Sequence, residues 1–236
     1  GTVTVFTGKC ELGQGILTAL AQIAAEELDV AYERVEMVSA DTARTPNEGQ
    51  TAGSLSVENS GTALRFACAE VRQILLELAA AKLGVAVAKL SVSDGTVTGP
   101  GEVTYWELAR EAKLEREASA QAKPKPPAQH RIVGRSIPRR DIPAKVTGGA
   151  AFVQDVRLPG MVHGRVVRPP RYGARLESVD EARVEAMPGV IAVVRDGSFL
   201  GVVAEREEQA INARLVLNEL AEWSGGSELP DPKKLY

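Results

Sequence analysis

The sequence has little with which to hold a metal through its own side chains: of 236 residues, two are cysteine and two are histidine. Cys10 and Cys68 stand far apart with no CxxC or Cys/His spacing, so neither a zinc site nor a disulfide framework is supported, and both read as small core residues. His130 and His163 are equally isolated, and a histidine without a spaced partner is more often structural than a ligand. No metal is assigned to protein ligands. Aromatic residues make up only 4% of the chain, and 28 lysines and arginines stand against 31 acidic residues, a formal charge of −3. Without a basic run or a stacking platform there is no footprint for nucleic acid. No apolar run approaches the length of about eighteen residues that a membrane span needs. An initiator methionine, a charged n-region and an apolar h-region are all missing, so the chain reads as an excised piece whose targeting signal would lie upstream; localisation stays open.

What is present reads as a globular chain of two domains. Thr2 to Thr7 alternates β-branched or aromatic residues with polar ones, the pattern of a strand with one buried face. From Ile16 to Leu28 the residues Leu17, Leu20, Ile23, Ala24 and Leu28 recur at helical spacing, and Glu26 and Glu27 fall on the polar side. "VEMVSAD", residues 35–41, reads as a second strand. Residues 42–61 are rich in Thr, Ser, Asn and Gly without periodicity, a long polar loop of the kind that is usually functional or disordered. A helix is expected over Thr62 to Leu83 with Gly84 as its cap, then a hairpin with an Asp-Gly turn in "KLSVSDGTVTG" and a short helix capped by Thr104. Residues 113–130, "KLEREASAQAKPKPPAQH", turn abruptly charged and proline-rich and read as an interdomain linker. Beyond it, "GAAFVQDVRLPG", "MVHGRVVRP", "GVIAVVRDG" and "FLGVVAE" read as short strands and turns, with helices near "SVDEARVEAM" and "REEQAINARLVLNEL", a small α+β domain over 131–223. Residues 224–236 read as a frayed tail.

The stretch of most chemical interest is "GKCELGQGILTAL", residues 8–20. A strand, a glycine turn and a helix together present backbone N–H groups at the positive end of a helix dipole, a seat for phosphate. A Walker loop needs Lys-Ser/Thr after its last glycine, and Ile16-Leu17 follows here; a Rossmann fingerprint breaks at Thr18, where its third glycine belongs. That leaves Gln14, whose amide donates and accepts at once, flanked by glycines that let a bulky ligand approach the backbone. The same turn can equally be a solution to backbone geometry and nothing more. The hydroxyls and amides of the polar loop, among them Thr42, Thr45, Asn47, Gln50, Thr51, Ser54, Ser56 and Asn59, offer a second lining or a solvated surface.

Taken together, "TVTVFTGKCELGQGILTALAQIAAEELDV", "RVEMVSADTARTPNEGQTAGSLSVENSGTALR" and "VGRSIPRRDIPAKVTGGAAFVQDVRLPGMVHGRVVRPP" closely resemble the large subunit of the xanthine dehydrogenase and aldehyde oxidase family of molybdenum hydroxylases. The cofactor-binding stretch precedes the "PAKVTGGAAF" stretch, an order similar to the isoquinoline 1-oxidoreductase beta-subunit branch. The resemblance implies an α+β fold. Residues 1–112 would be the N-proximal part of a molybdopterin-binding domain, 113–130 a linker, and 131–223 an aldehyde oxidase/xanthine dehydrogenase a/b hammerhead-like domain. It implies that Gly13, Gln14 and Gly15 meet molybdopterin, with the Gln14 amide directed toward an oxo ligand of molybdenum. Thr51, Ala52, Gly53 and Ser54 would lie near the pterin or its dinucleotide, expected in the cytosine form. Arg139, Arg140, Arg168 and His163 would be structural or interfacial.

The implied reaction is hydroxylation of an aldehyde or N-heterocycle with water as the oxygen source. The glutamate base of that reaction belongs to a later segment, so no catalytic residue is assigned here, Glu11, Glu48 and Glu58 read as solvated or local acceptors, and the chain alone is expected to be inactive and without cofactor. The implied partners are the C-terminal remainder of the large subunit, a small [2Fe-2S] subunit, a cytochrome acceptor in periplasmic or inner-membrane-associated relatives, and the small-molecule substrate. Self-association of a piece with exposed strand edges is a further expectation. Cys10 and Leu55 depart from the family pattern. The reading from another class is a non-catalytic scaffold or a module that binds a phosphorylated ligand.

Overall fold

A computed structural model of the chain describes residues 1–228, 230, 231 and 233. The chain divides into two compact units, one over Gly1–Ala151 and one from Phe152 onward. In the first, β1 (Val3–Thr7) pairs in parallel with β2 (Val35–Ser39), Val3 opposite Val35 and Thr7 opposite Ser39. Between them runs α1 (Ile16–Leu28), which leaves Gly15 at φ 83° and closes on a left-handed Asp29. A π-helical turn, Ser56–Gly61, passes directly into α2 (Thr62–Leu83), so the last part of the expected loop is helical. Gly84 caps α2 in the left-handed region, as its place in the sequence predicts.

β3 (Ser91–Ser93), β4 (Thr96–Thr98) and β5 (Glu102–Thr104) form an antiparallel sheet. Both residues of the Asp94-Gly95 turn have positive φ, the hairpin geometry that dipeptide favours. Thr104 and Glu107 close a reciprocal capping box on α3 (Tyr105–Leu108). α4 (Ile142–Val146) ends this unit. Its core gathers Val5, Leu28, Val35, Leu75, Val97 and Leu108. Cys68 is buried in the same cluster, where desolvation pushes its thiol up to about 12 and keeps it a small apolar side chain.

The second unit is a three-stranded antiparallel sheet, with β6 (His163–Val167), β8 (Val190–Asp196) and β9 (Phe199–Ala204) in the order β6-β9-β8. A ribbon of β7 (Arg175–Ser178) and β10 (Glu222–Ser224) accompanies it. α5 (Glu181–Glu185) packs on β8, and α6 (Glu207–Leu220) packs on β6 and β9. Val167, Val184, Leu200, Val202 and Leu217 form its core. β7 and β10 are too short to announce themselves by alternation. "GAAFVQDVRLPG" forms a 3-10 turn at Val153–Asp155 and no strand. The tail expected to fray from Ser224 is paired through Ser224 and bridges Ser227 to Tyr172; its positions 229, 232 and 234–236 lie outside the described residues. Among the described residues, no helix is long and apolar enough to cross a membrane.

Two expectations are corrected together. Glu26 and Glu27, which spacing puts on the polar side of α1, are 2% and 1% exposed. They are covered by the very stretch that reads as a linker. One oxygen of Glu26 accepts the backbone N–H groups of Arg131, Ile132 and Val133 at 2.7, 2.6 and 3.0 Å. Lys125, itself buried, donates to the Glu26 carbonyl at 2.6 Å and pairs with Asp29. The Lys125 N–H reaches Glu27 at 2.9 Å, and Arg65 pairs with Glu27 at 3.1 Å. Further along, Ser119 donates from both N–H and hydroxyl to Glu70, and Arg116 closes on the same carboxylate. Residues 113–133 are therefore a strap bound to α1 and α2. The first unit ends at Ala151 rather than at 112, because proline-rich composition describes a chain without regular structure and is silent on whether that chain is packed.

Burial alone would raise the Glu26 carboxyl; the three strap N–H groups and Lys125 outweigh it and hold the group below its ordinary value of 4.5. A carboxylate depressed in the folded state stabilises at pH above its unfolded value and loses that contribution as pH falls through its folded value. Chemical denaturation between pH 7 and 3 is therefore expected to show stability falling below about pH 4.5, and Glu26→Gln should flatten that acid limb. The same substitution should cost on the order of 2 kcal/mol at pH 7, since a neutral amide oxygen accepts the three strap N–H groups more weakly than a carboxylate and Lys125 loses a countercharge. Equal acid limbs in the two proteins would remove Glu26 from this role.

Candidate functional site

β1 delivers the chain to Gly8, Lys9 and Cys10, where two loops are stitched together before the glycine turn begins. Glu48 accepts the Thr7 hydroxyl at 2.6 Å and the Gly8 N–H at 2.7 Å. Lys9 is 3% exposed and donates to the carbonyls of Glu48 and Gln50 at 2.7 and 3.0 Å. The Cys10 N–H reaches the Thr51 hydroxyl at 2.9 Å. Gly8 permits the approach: a Cβ there would lie 2.3 Å from the Pro46 carbonyl oxygen. Lys9 carries no sequence signal of this task, because a single lysine after a strand resembles any surface lysine. Its burial follows from carbonyls about forty positions away.

The turn that follows fills its own anion seat. The Gly13 and Gly15 N–H groups each donate to one Glu11 oxygen at 2.9 Å, and the Leu17 N–H donates to the other at 3.3 Å. A carboxylate thus sits where the helix-terminus argument puts a phosphate. The expectation of free donors waiting for a phosphate is corrected: Glu11 already answers three of them. Gln14 folds back on the turn as well. Its Oε1 accepts the Leu12 N–H at 2.6 Å and its Nε2 donates to the Cys10 carbonyl at 3.0 Å. Because the Gln14 amide carries two N–H groups and two lone pairs, one donor and one acceptor position remain beyond these bonds. Glu11 and Glu48 are local acceptors, as the sequence reading has them.

The structure brings the two predicted lining segments to one place. A cavity of about 410 Å³ is lined by Leu12, Gln14, Gly15, Ile16, Ala19, Thr51, Ala52, Gly53, Ser54, Ser56 and Val57. Gly13 alone of the predicted site residues is not on that wall. It stands within the same turn, with nothing within 4 Å of the position a Cβ would take. The volume is that of a small-molecule pocket. Among the described residues no lysine or arginine lines it, so it offers hydroxyls, an amide and backbone edges between apolar walls. That chemistry suits a flat heterocycle with a hydrogen-bonding rim better than a bare phosphate. Arg139 and Arg140, expected in the second domain, belong to the first unit. Arg139 donates to the Gly13 carbonyl at 2.6 Å and lies 3.4 Å from Glu11. Arg140 stacks 4.1 Å over the Tyr32 ring and donates to the carbonyls of Tyr32 and Val35. His163 and Arg168 lie in the second unit, in and just after β6.

Residues 1–140 match the family model described as the molybdopterin cofactor-binding domain. The chain is 45% identical over 223 residues to a subunit of nicotinate dehydrogenase from Pseudomonas putida, a match that covers 90% of this chain and 19% of that protein. It is 30% identical over 243 residues to a membrane-bound aldehyde dehydrogenase (pyrroloquinoline-quinone) of Gluconacetobacter polyoxogenes, covering 97% and 31%. It is 29% identical over 262 residues to the beta chain of isoquinoline 1-oxidoreductase from Brevundimonas diminuta, covering 92% and 34%. The chain thus spans between a fifth and about a third of the length of these relatives.

The stitch between the two loops is testable apart from any ligand. Gly8→Ala should lower the melting temperature by several degrees, the effect of roughly 1–3 kcal/mol of overpacking. Proteolysis should then open the 42–55 loop first, while the Asp94-Gly95 hairpin stays resistant. Retention of wild-type melting and cleavage would mean that the Gly8–Pro46 approach relaxes without consequence.

Proposed function

The chain belongs to the molybdopterin cofactor-binding domain family, and on that premise we propose that its first unit forms one wall of a molybdopterin site. The parent protein is then an oxidoreductase that hydroxylates aldehydes or N-heterocycles. The observation that carries the reading is the convergence of Gln14, Gly15 and Thr51–Ser54 on one cavity. The residues fit the group: small side chains at Gly15, Ala19, Ala52 and Gly53 leave room for a planar ring system. The Gln14 amide and the hydroxyls of Thr51, Ser54 and Ser56 can meet its polar rim. When bound, molybdopterin carries the molybdenum at which a substrate carbon is hydroxylated with oxygen taken from water.

What this chain contributes is position. Glu11 and the Gln14 side chain hold the turn in one shape before any ligand arrives, so little ordering remains to be done on binding. Lys9 and Glu48 hold the second loop against the first. Leu12, Ile16 and Val57 give the cavity an apolar side. A phosphate of the dinucleotide, proposed as the cytosine form, has to find its donors elsewhere, since Glu11 occupies the N-terminus of α1. No residue of the cavity is a general base; that role falls to the remainder of the large subunit, and the 236-residue chain alone is proposed to turn over nothing. The partners in this reading are that remainder, a small [2Fe-2S] subunit and, for electron exit, a cytochrome. Residues from 152 onward are proposed as the hammerhead-like module. The substrate class rests on relatives named for nicotinate, isoquinoline and aldehydes.

Gln14→Ala in the complete enzyme should lower molybdenum retention or turnover roughly ten- to a hundredfold, the usual cost of removing a group that orients a metal centre's surroundings. Metal analysis together with steady-state rates reads both. Unchanged metal and unchanged rates would favour a scaffold with no part in the chemistry.

A further inference from the structure

We propose that Arg139 is a positioning residue for the cofactor turn: it holds Gly13–Gly15 in the shape that the cavity requires, and so sets how tightly the cavity keeps its ligand. The inference rests on the molybdopterin reading above. It concerns a residue outside the glycine turn, about 125 positions downstream by the sequence separation of its bond to Gly13.

Three contacts aim the guanidinium. Its Nη1 donates to the Gly13 carbonyl at 2.6 Å, and its Nη2 lies 3.4 Å from Glu11 Oε1, the same oxygen that accepts the Gly13 and Gly15 N–H groups. Its side chain also covers Gly15, lying 3.5 Å from where a Cβ would stand. The turn is thereby gripped on both of its polar elements. The carbonyl that precedes Gln14 is held by Arg139, and the carboxylate that collects the turn's N–H groups has its countercharge there. Rotating the Gly13–Gln14 peptide, which glycine at φ 105° permits, would break the first contact and swing Gln14 away from the cavity.

Arg139 is itself fixed from behind. Asp141 takes its Nε at 3.0 Å and its Nη2 at 2.6 Å in a two-pronged pair, and Lys145 closes on Asp141 at 2.5 Å. Those hydrogen bonds, from Arg139 first and Lys145 second, hold the Asp141 carboxyl well below the usual carboxylate range, so the support persists at any physiological pH. Lysine cannot replace this: it has no planar fork to join Gly13, Glu11 and Asp141 at once.

The test is amide hydrogen exchange, residue by residue, on the 236-residue chain without cofactor, paired with the rate of molybdopterin loss from the loaded protein. Arg139→Met should speed exchange at Gly13, Gly15 and Leu17 about tenfold, the effect expected for losing a charge-assisted hydrogen bond, with Val5 and Ala24 unchanged. Loss of the pterin, followed by its fluorescence after oxidation, should quicken by a similar factor. Arg139→Lys, which keeps the charge and the fold, should fall between, and it carries the test if Arg139→Met melts throughout. Arg34→Met, which breaks an exposed pair with Asp94, should move none of these readings. Wild-type exchange at the three turn amides in both Arg139 variants overturns the proposal, as does faster exchange with an unchanged rate of pterin loss. A wild-type complete enzyme that holds no pterin overturns the cofactor reading instead, and the exchange arm on the 236-residue chain still decides whether Arg139 holds the turn.

Discussion

Two adjacent carboxylates on one buried helix are the constraint on which the first unit depends. α1 has ten of its thirteen residues buried, Glu26 and Glu27 among them. A charge taken out of water must be given hydrogen bonds or a countercharge, or else be neutralised. The chain supplies the bonds from a distance. Three consecutive N–H groups of the strap converge on Glu26, and Lys125 crosses to Asp29 at the C-terminus of the same helix. Arg131–Val133 lie in no helix or strand, so their backbone donors are free to do this.

That constraint also fixes where the chain goes next. Once Arg131–Val133 are bound to Glu26, Gln22 takes the carbonyls of Ile132 and Arg135 one turn earlier on α1. The chain is then travelling back along the helix toward its N-terminus. The Arg140 N–H meets Thr18 at 3.3 Å, and Arg139 arrives at the glycine turn. Burial of acid at one end of α1 and support of the turn at the other end are consequences of one path. The helix is the shared track. The segment that follows the proline-rich stretch therefore belongs to the cofactor-binding unit by its hydrogen bonds, in agreement with a family match that runs to residue 140.

Much of the architecture was legible. α1 and α2 have the bounds that their apolar spacing and glycine caps dictate, and the Asp94-Gly95 hairpin and the Thr104 capping box follow from local chemistry alone. Such features are local, decided within a few residues. Long-range ones were not legible. Nothing near Glu26 in sequence announces that residues 131–133 will cover it, and helical periodicity sorts a glutamate to the solvent side by default. Lys9 fails to announce itself for the same reason. Of the site, the sequence marks two polar or glycine-rich segments, and the structure brings both to one cavity. Spacing could not tell that the turn's N–H groups were already answered by Glu11, because a carboxylate four residues before a glycine can point anywhere.

The closed anion seat bears on what kind of recognition this site performs. A loop that grips phosphate through a helix terminus gains affinity from charge, tolerates many nucleotides, and weakens with salt. Here the charge is spent internally, on Glu11 and Arg139, and the cavity wall is left neutral. On the proposed molybdopterin reading, selection depends on shape and on the match of donors and acceptors around the pterin, interactions that fail when a polar rim is left unpaired. The pairing of Glu11 with the turn is thus more than a cap: it fills the helix-terminal seat that a nucleotide phosphate would otherwise take.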